Sequence, residues 1–139
     1  FGMPGMKIMQ FAFEGGPENP YLPQHHTENA VVYTGTHDNE TTLGWFEALD
    51  EEQKKTVYSL LGNPQAGMPW ALIEAALASS ARLAILPMQD VLALGGEHRM
   101  NTPGTMLGNW SWQFDWGLVP EGLAARMHDM LQRHDRLQG

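Results

Sequence analysis

The stretch VVYTGTHDNETTLGW, Val31 to Trp45, begins as an apolar strand and breaks off into polar residues. Val31, Val32, Tyr33 and Thr34 favour extended structure. Gly35 ends the run, and Thr36, His37, Asp38, Asn39, Glu40, Thr41 and Thr42 follow without turn filler. Two more segments read as strands: MKIMQFAF, Met6 to Phe13, and LAILPMQD, Leu83 to Asp90, the latter again ending in polar residues, Gln89 and Asp90. The first two lack clean alternation, as expected of parallel strands covered on both faces. Polar residues gathered at the C-terminal ends of strands mark the edge of a parallel sheet where ligands bind.

The connections agree with that order. EGGPENPYLPQHHTEN, Glu14 to Asn29, is too rich in proline and glycine for a regular helix. LGWFEAL, Leu43 to Leu49, belongs to a helical stretch. Asp50 can cap a further helix with Glu51 and Glu52 in its first turn, Glu51 facing Lys55, and Gly62 as its stop. MPWALIEAALASSARL, Met68 to Leu83, predicts a mostly buried helix with Pro69 near its start. A glycine-rich loop runs from Gly95 to Gly117, and Leu123, Met127, Met130 and Leu131 give the last helix one apolar face. Strand, crossover, strand, two helices, strand, helix is an α/β order with parallel strands. Three strands do not close an eight-stranded barrel.

Composition narrows the function. The 139 residues are 42% hydrophobic and only 17% charged, which fits a folded chain. The net charge of -8, from 16 acidic and 8 basic residues, argues against a nucleic-acid groove and suits a neutral ligand. Cysteine is absent, so the chain can form neither a disulfide nor a thiolate metal site, which fits a reducing, cytoplasmic setting. No apolar run approaches the roughly 20 residues that span a bilayer. FGMPGMKIMQ, at the start, has neither an initiator Met nor the pattern of a signal peptide, and reads as the middle of a longer protein.

An imidazole beside a carboxylate at a strand end suits several tasks: stabilising a developing positive charge, holding a hydroxyl-rich ligand, or binding a metal. The plainer alternative is that Asp38 or Thr36 caps the following turn and His37 packs beside it. The full string goes further. YTGTHDNETTLGW closely resembles the seventh-strand signature of the 4-α-glucanotransferases (amylomaltases and disproportionating enzymes, glycoside hydrolase family 77). PGMKIMQFAF with PENPYLP is similar to that family's sixth-strand segment, and LAILPMQDVLALGGEHRMNTPGTMLGNWSW to its eighth strand and following loop.

The resemblance implies strands six to eight of a (β/α)₈ barrel, incomplete as a barrel by itself. Residues 1–139 would be the C-terminal segment of the catalytic domain, with 1–118 running from strand six to the C-terminal loop and 119–139 forming the C-terminal helix. Family members use a nucleophilic Asp, an acid/base Glu and a third Asp that stabilises the transition state. Asp38 matches the third, His37 the histidine that bonds the substrate's sugar hydroxyls, and Asn39 a neighbour supporting them. The other two carboxylates would lie upstream of Phe1, and neither Glu14, Glu18 nor Glu40 has a matching context. The isolated chain is therefore expected to be inactive, with a maltooligosaccharide or α-1,4-glucan as the parent enzyme's substrate and neither metal nor organic cofactor implied. Gln24 to His26, Glu40 and Gln113 depart from the family pattern, but none touches the His37-Asp38 pair.

Trp110, Trp112 and Trp116 invite a sugar-stacking reading. Their alternating positions favour instead anchoring of the loop to the core. His25, His26, His37 and Asp38 lack the spacing of a metal site, and Met127 and Met130 read as ordinary helix packing. Two other functions stay open on the residues alone: a glucan-binding fragment without catalysis, and a barrel glycosidase that hydrolyses rather than transfers. Three barrel strands leave two unpaired edges, so the chain is expected to pair edges or swap strands with another copy. Sedimentation at micromolar concentration should then show a dimer or larger species; a well-folded monomer would contradict it.

Overall fold

The computed structural model describes residues 2–137. Three short parallel strands, β1 (Gly5–Ile8), β2 (Ala30–Tyr33) and β3 (Leu83–Ile85), form one sheet in that order. Met6 pairs with Val31 and Val31 with Leu83, so the strand ends lie level and their following loops meet at one edge. Around them run α1 (Thr42–Ala48), α2 (Glu51–Leu60), α3 (Trp70–Ala78), α4 (Met88–Val91) and α5 (Leu123–Arg133).

β1 and β3 are shorter than their apolar runs, whereas β2 covers its run in full. After Ile8 the chain turns through a 3₁₀ segment, Met9–Phe11, that carries Met9 into the core. Asn19 then donates to the carbonyls of Phe11 and Glu14, folding the proline-rich loop back on that turn. Pro87 caps α4 two residues beyond β3, so Gln89 and Asp90 sit on a helix rather than a strand. The helix expected over Met68 to Leu83 spans only Trp70–Ala78, because Ser79 turns extended. Arg136 secures that end, donating to the carbonyls of Leu77, Ser79 and Ala81 at 2.6–2.8 Å.

The helix caps follow local chemistry. Asp50 and Gln53 form a reciprocal capping box on α2, and Gly62 takes the left-handed φ of 80° just past its end. Glu51 pairs with Lys54 at 3.1 Å, one residue short of the expected Lys55. In α5, Leu123 and Met130 are buried, Met127 and Leu131 partly so; of the helix expected over 119–139, residues 119–122 and 134–137 are not helical, Gly122 taking a left-handed φ of 81° just before it, and 138–139 lie outside the described residues.

The core lies on one side of the sheet. Met9, Ala30, Val32, Leu72, Ala76 and Ala81 pack between the strands and α3, which is apolar around most of its circumference. Ile73, Leu77 and Met130 join α3 to α5. The other face is uncovered, contrary to the expectation of two covered faces: Met6 is 53% and Ile85 40% exposed. The apolar residues at these positions are thus not explained by burial within residues 2–137.

His26 stitches the proline-rich loop to the end of α3. One ring nitrogen lies 2.6 Å from the Ser79 hydroxyl and the other 2.7 Å from the Tyr21 carbonyl. The carbonyl requires N–H on Nε2, so in the neutral ring Nδ1 accepts from the Ser79 hydroxyl. Burial, chiefly, holds its pKa below the ordinary 6.5. The unfolded chain takes up this proton first, so the contribution to stability is intact above about pH 6.5 and is lost as pH falls through the folded-state value. Thermal melts across this range should show an acid-side loss of stability in the wild type that is smaller in His26→Gln; parallel curves would refute the assignment.

Candidate active site

The polar loop after β2 stands at the C-terminal edge of the sheet, beside a cavity of about 340 Å³. Tyr33 and Ile85 contribute to its wall from the strands, and Thr36, His37, Asn39, Glu40 and Arg99 from the loops above. Of the three residues singled out in the sequence, His37 and Asn39 line this cavity and Asp38 does not. The Asp38 carboxylate turns to the loop after β3, accepting from Asn101 Nδ2 at 2.6 Å, with His37 Nε2 3.4 Å away. Both side chains of the His37-Asp38 pair are about half exposed.

Asn39 is engaged within its own turn. Its Oδ1 accepts from the backbone N–H and the hydroxyl of Thr36, at 2.9 and 2.8 Å, while its own N–H donates to the Thr36 carbonyl. These three bonds wrap the chain tightly around His37 and Asp38, so Asn39 shapes the turn from which both side chains project.

The loop is pinned at both ends by a residue whose partners lie far off in sequence. Asp90, 1% exposed, accepts from the Thr34 hydroxyl before the loop at 2.6 Å. It also accepts from the backbone N–H and hydroxyl of Thr42 after the loop, both at 2.7 Å. Burial pushes the Asp90 carboxyl above its ordinary pKa, and the bonds from Thr34 and Thr42 oppose that rise. The only advance sign of this was a carboxylate just past an apolar strand.

Glu40 and Arg99 brace the outer side. Glu40 Oε1 accepts from the Thr41 N–H at 2.9 Å, and Oε2 lies 3.7 Å from Arg99. Arg99 also donates to the Asp38 carbonyl at 2.7 Å and, through Nε, to the Asn101 carbonyl. A Cβ on Gly44 would come within 2.9 Å of Gly96 backbone, so glycine is needed there for the two loops to meet. Glu40 thus braces the loop while also lining the cavity, and Glu14 lines a separate cleft with Trp45 and Gln53.

The tryptophans behave differently from one another. Trp112 is partly buried and donates from Nε1 to His98 at 3.1 Å, as an anchor would. Trp110 and Trp116 are 62% and 80% exposed, so core anchoring does not describe them. Trp110 instead lies against the His37 ring. His25 bonds the Pro17 carbonyl and His26 is enclosed by Ser79 and Tyr21, so neither comes to the His37-Asp38 pair.

Residues 1–118 match the glycoside hydrolase family 77 family model, 4-alpha-glucanotransferase. The 4-alpha-glucanotransferase of Synechocystis is 50% identical over 98% of this chain and 27% of its own length. That of Thermus thermophilus is 45% identical over 99% of this chain and 29% of its own. The chloroplastic/amyloplastic enzyme of Arabidopsis thaliana is 45% identical over 98% and 24%. An amylomaltase from Streptococcus agalactiae, solved in complex with acarbose, superposes with a TM-score of 0.90 at 34% identity, over 99% of this chain and 28% of that one. The chain thus spans about a quarter of the length of these relatives.

Removing the Asp90 carboxylate should release the loop. Asp90→Ala leaves three donors without a buried acceptor and should cost about 3 kcal/mol or more. Asp90→Asn can accept from Thr42 N–H and donate to the two hydroxyls, so its cost should be less than half of that. Because folding raises this pKa, the wild type's stability relative to Asp90→Asn should fall as pH rises from about 4 toward the folded-state value, and then level off. Denaturant unfolding of the three proteins checks both; equal stability of Ala and Asn variants would contradict the stapling.

Proposed function

Because the chain belongs to the glycoside hydrolase family 77 4-alpha-glucanotransferases, we propose that it is the C-terminal segment of such an enzyme, strands six to eight of a (β/α)₈ barrel. In that placement the uncovered face of the sheet, with Met6, Tyr33 and Ile85, is the barrel interior. Residues 1–118 run to the C-terminal loop, and the segment from 119 onward carries the closing helix, Leu123–Arg133. The observation that carries the reading is the His37-Asp38-Asn39 loop, held over a cavity at the C-terminal edge of parallel strands, the edge that carries active sites in this architecture.

The substrate on this reading is a maltooligosaccharide or other α-1,4-glucan. An Asp nucleophile attacks the anomeric carbon while a Glu protonates the departing glycosidic oxygen, giving a covalent glycosyl-enzyme. The 4-hydroxyl of a second glucan then displaces the nucleophile, giving its proton to the same Glu. Both carboxylates belong to strands four and five, outside this segment. Asp38 stabilises the positive charge that builds on the sugar in each transition state. Its fixed hydrogen bond from Asn101 keeps the anion in place without reorganisation during the reaction. His37, facing the cavity, bonds the sugar hydroxyls at the cleavage point, and Asn39 sets the turn that presents both.

Cytoplasmic placement also stays a proposal. It fits the absence of cysteine, while the Arabidopsis relative with a 45% identical segment is named chloroplastic/amyloplastic. No helix among the described residues is long and apolar enough to cross a membrane.

Incubated with maltotriose, residues 1–139 alone should yield neither glucose nor longer glucans, whereas the full-length enzyme carrying this segment should yield both. In that enzyme Asp38→Asn should lower kcat by about a hundred- to a thousandfold. His37→Ala should weaken substrate use by about tenfold, the loss of one or two hydrogen bonds. Chromatography of the products decides: glucose without longer chains means hydrolysis, and turnover by residues 1–139 alone would mean that the catalytic pair was misplaced.

A further inference from the structure

The imidazole of His37 stands on an exposed turn, 57% accessible, and hydrogen bonding does little to hold it. Its two close neighbours are the Asp38 carboxylate, 3.4 Å from Nε2, and the indole of Trp110, whose ring centroid lies 5.0 Å away with the planes 41° apart. A carboxylate at that distance attracts but does not set the plane of a ring. An aromatic face at van der Waals range does.

Trp110 is held there against its own preference. Its φ is 59°, the left-handed region, which a bulky residue other than glycine rarely adopts. Burial does not compensate, because the side chain is 62% exposed. The loop before it fixes the conformation. Asn109 accepts from the Thr102 N–H through Oδ1 and donates through Nδ2 to the Thr105 carbonyl and hydroxyl. Trp110 N–H closes the base of the loop on the Met100 carbonyl at 2.8 Å. The same segment sends Arg99 to the Asp38 carbonyl and Asn101 to the Asp38 carboxylate, at 2.7 and 2.6 Å. Residues 99–110 therefore grip the His37-Asp38 dipeptide at three places, and His37 is gripped by the indole.

We propose that Trp110 is a positioning residue for His37: its strained backbone presents the indole as a wall that limits the imidazole to the orientation facing the cavity. This rests on the reading of His37 as the residue that bonds the sugar. With the indole absent, the imidazole samples several rotamers about an exposed turn, and only a fraction of them meets a sugar hydroxyl. The cost appears in substrate binding rather than in folding.

Two substitutions separate ring from backbone. Trp110→Gly suits a φ of 59° and deletes the indole, so the loop should keep its stability while the wall is lost. Trp110→Phe keeps an aromatic face. In proton–carbon NMR spectra of the 139-residue chain, the His37 ring signals should lose the indole's ring-current shift in Trp110→Gly and retain part of it in Trp110→Phe. In the full-length enzyme, Trp110→Gly should raise KM for maltotriose by about two- to tenfold with kcat less affected, and Trp110→Phe should recover most of the loss. Unmoved His37 signals in Trp110→Gly, or a Phe variant no better than Gly, would overturn the proposal. If His37→Ala impairs transfer while Trp110→Gly does not, the positioning role fails and the glucanotransferase reading stands. If Trp110→Gly shifts the His37 signals but His37→Ala binds glucan normally, the sugar-binding role assigned to His37 fails, and with it the effect of Trp110 on catalysis.

Discussion

One buried carboxylate governs this molecule's functional edge. Asp90 accepts three hydrogen bonds from residues on either side of the loop that bears His37 and Asp38. A loop of this length, free at either end, would spread its side chains over many orientations. Fixing Thr34 and Thr42 to one acceptor closes it into a defined arch. A carboxylate suits the donors: two hydroxyls reach Oδ2 and an N–H reaches Oδ1, and it offers lone pairs to all three. Burying it costs desolvation, which raises its pKa, and the convergent donors offset that cost.

The outer braces depend on this arch. Once Thr42 is fixed, α1 begins at a set place, and Gly44 meets Gly96 with no room for a side chain between them. That contact brings Arg99 and Asn101 within reach of Asp38. On the inner side, Gln10 donates to the Glu40 carbonyl at 2.8 Å, and a Cβ on Gly35 would lie 2.7 Å from the Gln10 amide nitrogen. Segments after all three strands thus meet around residues 35–44. Level registry of parallel strands makes this possible, since it delivers the three following loops to one edge.

Much of this was legible along the sequence, and the part that was not has a common cause. The strands announced themselves as apolar runs, and His37, Asp38 and Asn39 by following one without turn filler. Asp50 was recognisable as a cap because capping is local, reaching only three residues. Strand lengths were overread because Met9 and Ala12 are buried by a 3₁₀ turn as fully as they would be by a strand. Hydrophobicity reports burial, not the backbone that achieves it. The role of Asp90 was hidden because its partners lie 48 and 56 residues away, and only the crossover through α1, α2 and α3 brings them together. Trp110 was misjudged for the same reason: alternation along NWSW speaks of neighbours, whereas its partner is His37, far upstream.

The two faces of the sheet divide the labour of the segment. The side toward α3 is a closed apolar core that gives the strands a rigid backing. The opposite side keeps large apolar residues in the open, Met6 and Ile85 among them. The candidate site sits where the two meet, at the strand ends. A site on such an edge gains precision from the backed side, because the arch on Asp90 is anchored to strands that cannot shift independently. Its outer wall is less constrained, since Asp38 and His37 are held there by exposed contacts from residues 99–110. A carboxylate proposed to face a transient positive charge must be fixed in place yet open to the sugar. The structure separates these demands: the carboxylate that shapes the loop is buried, and the one proposed to meet the sugar stays at the surface, held by a neutral amide donor.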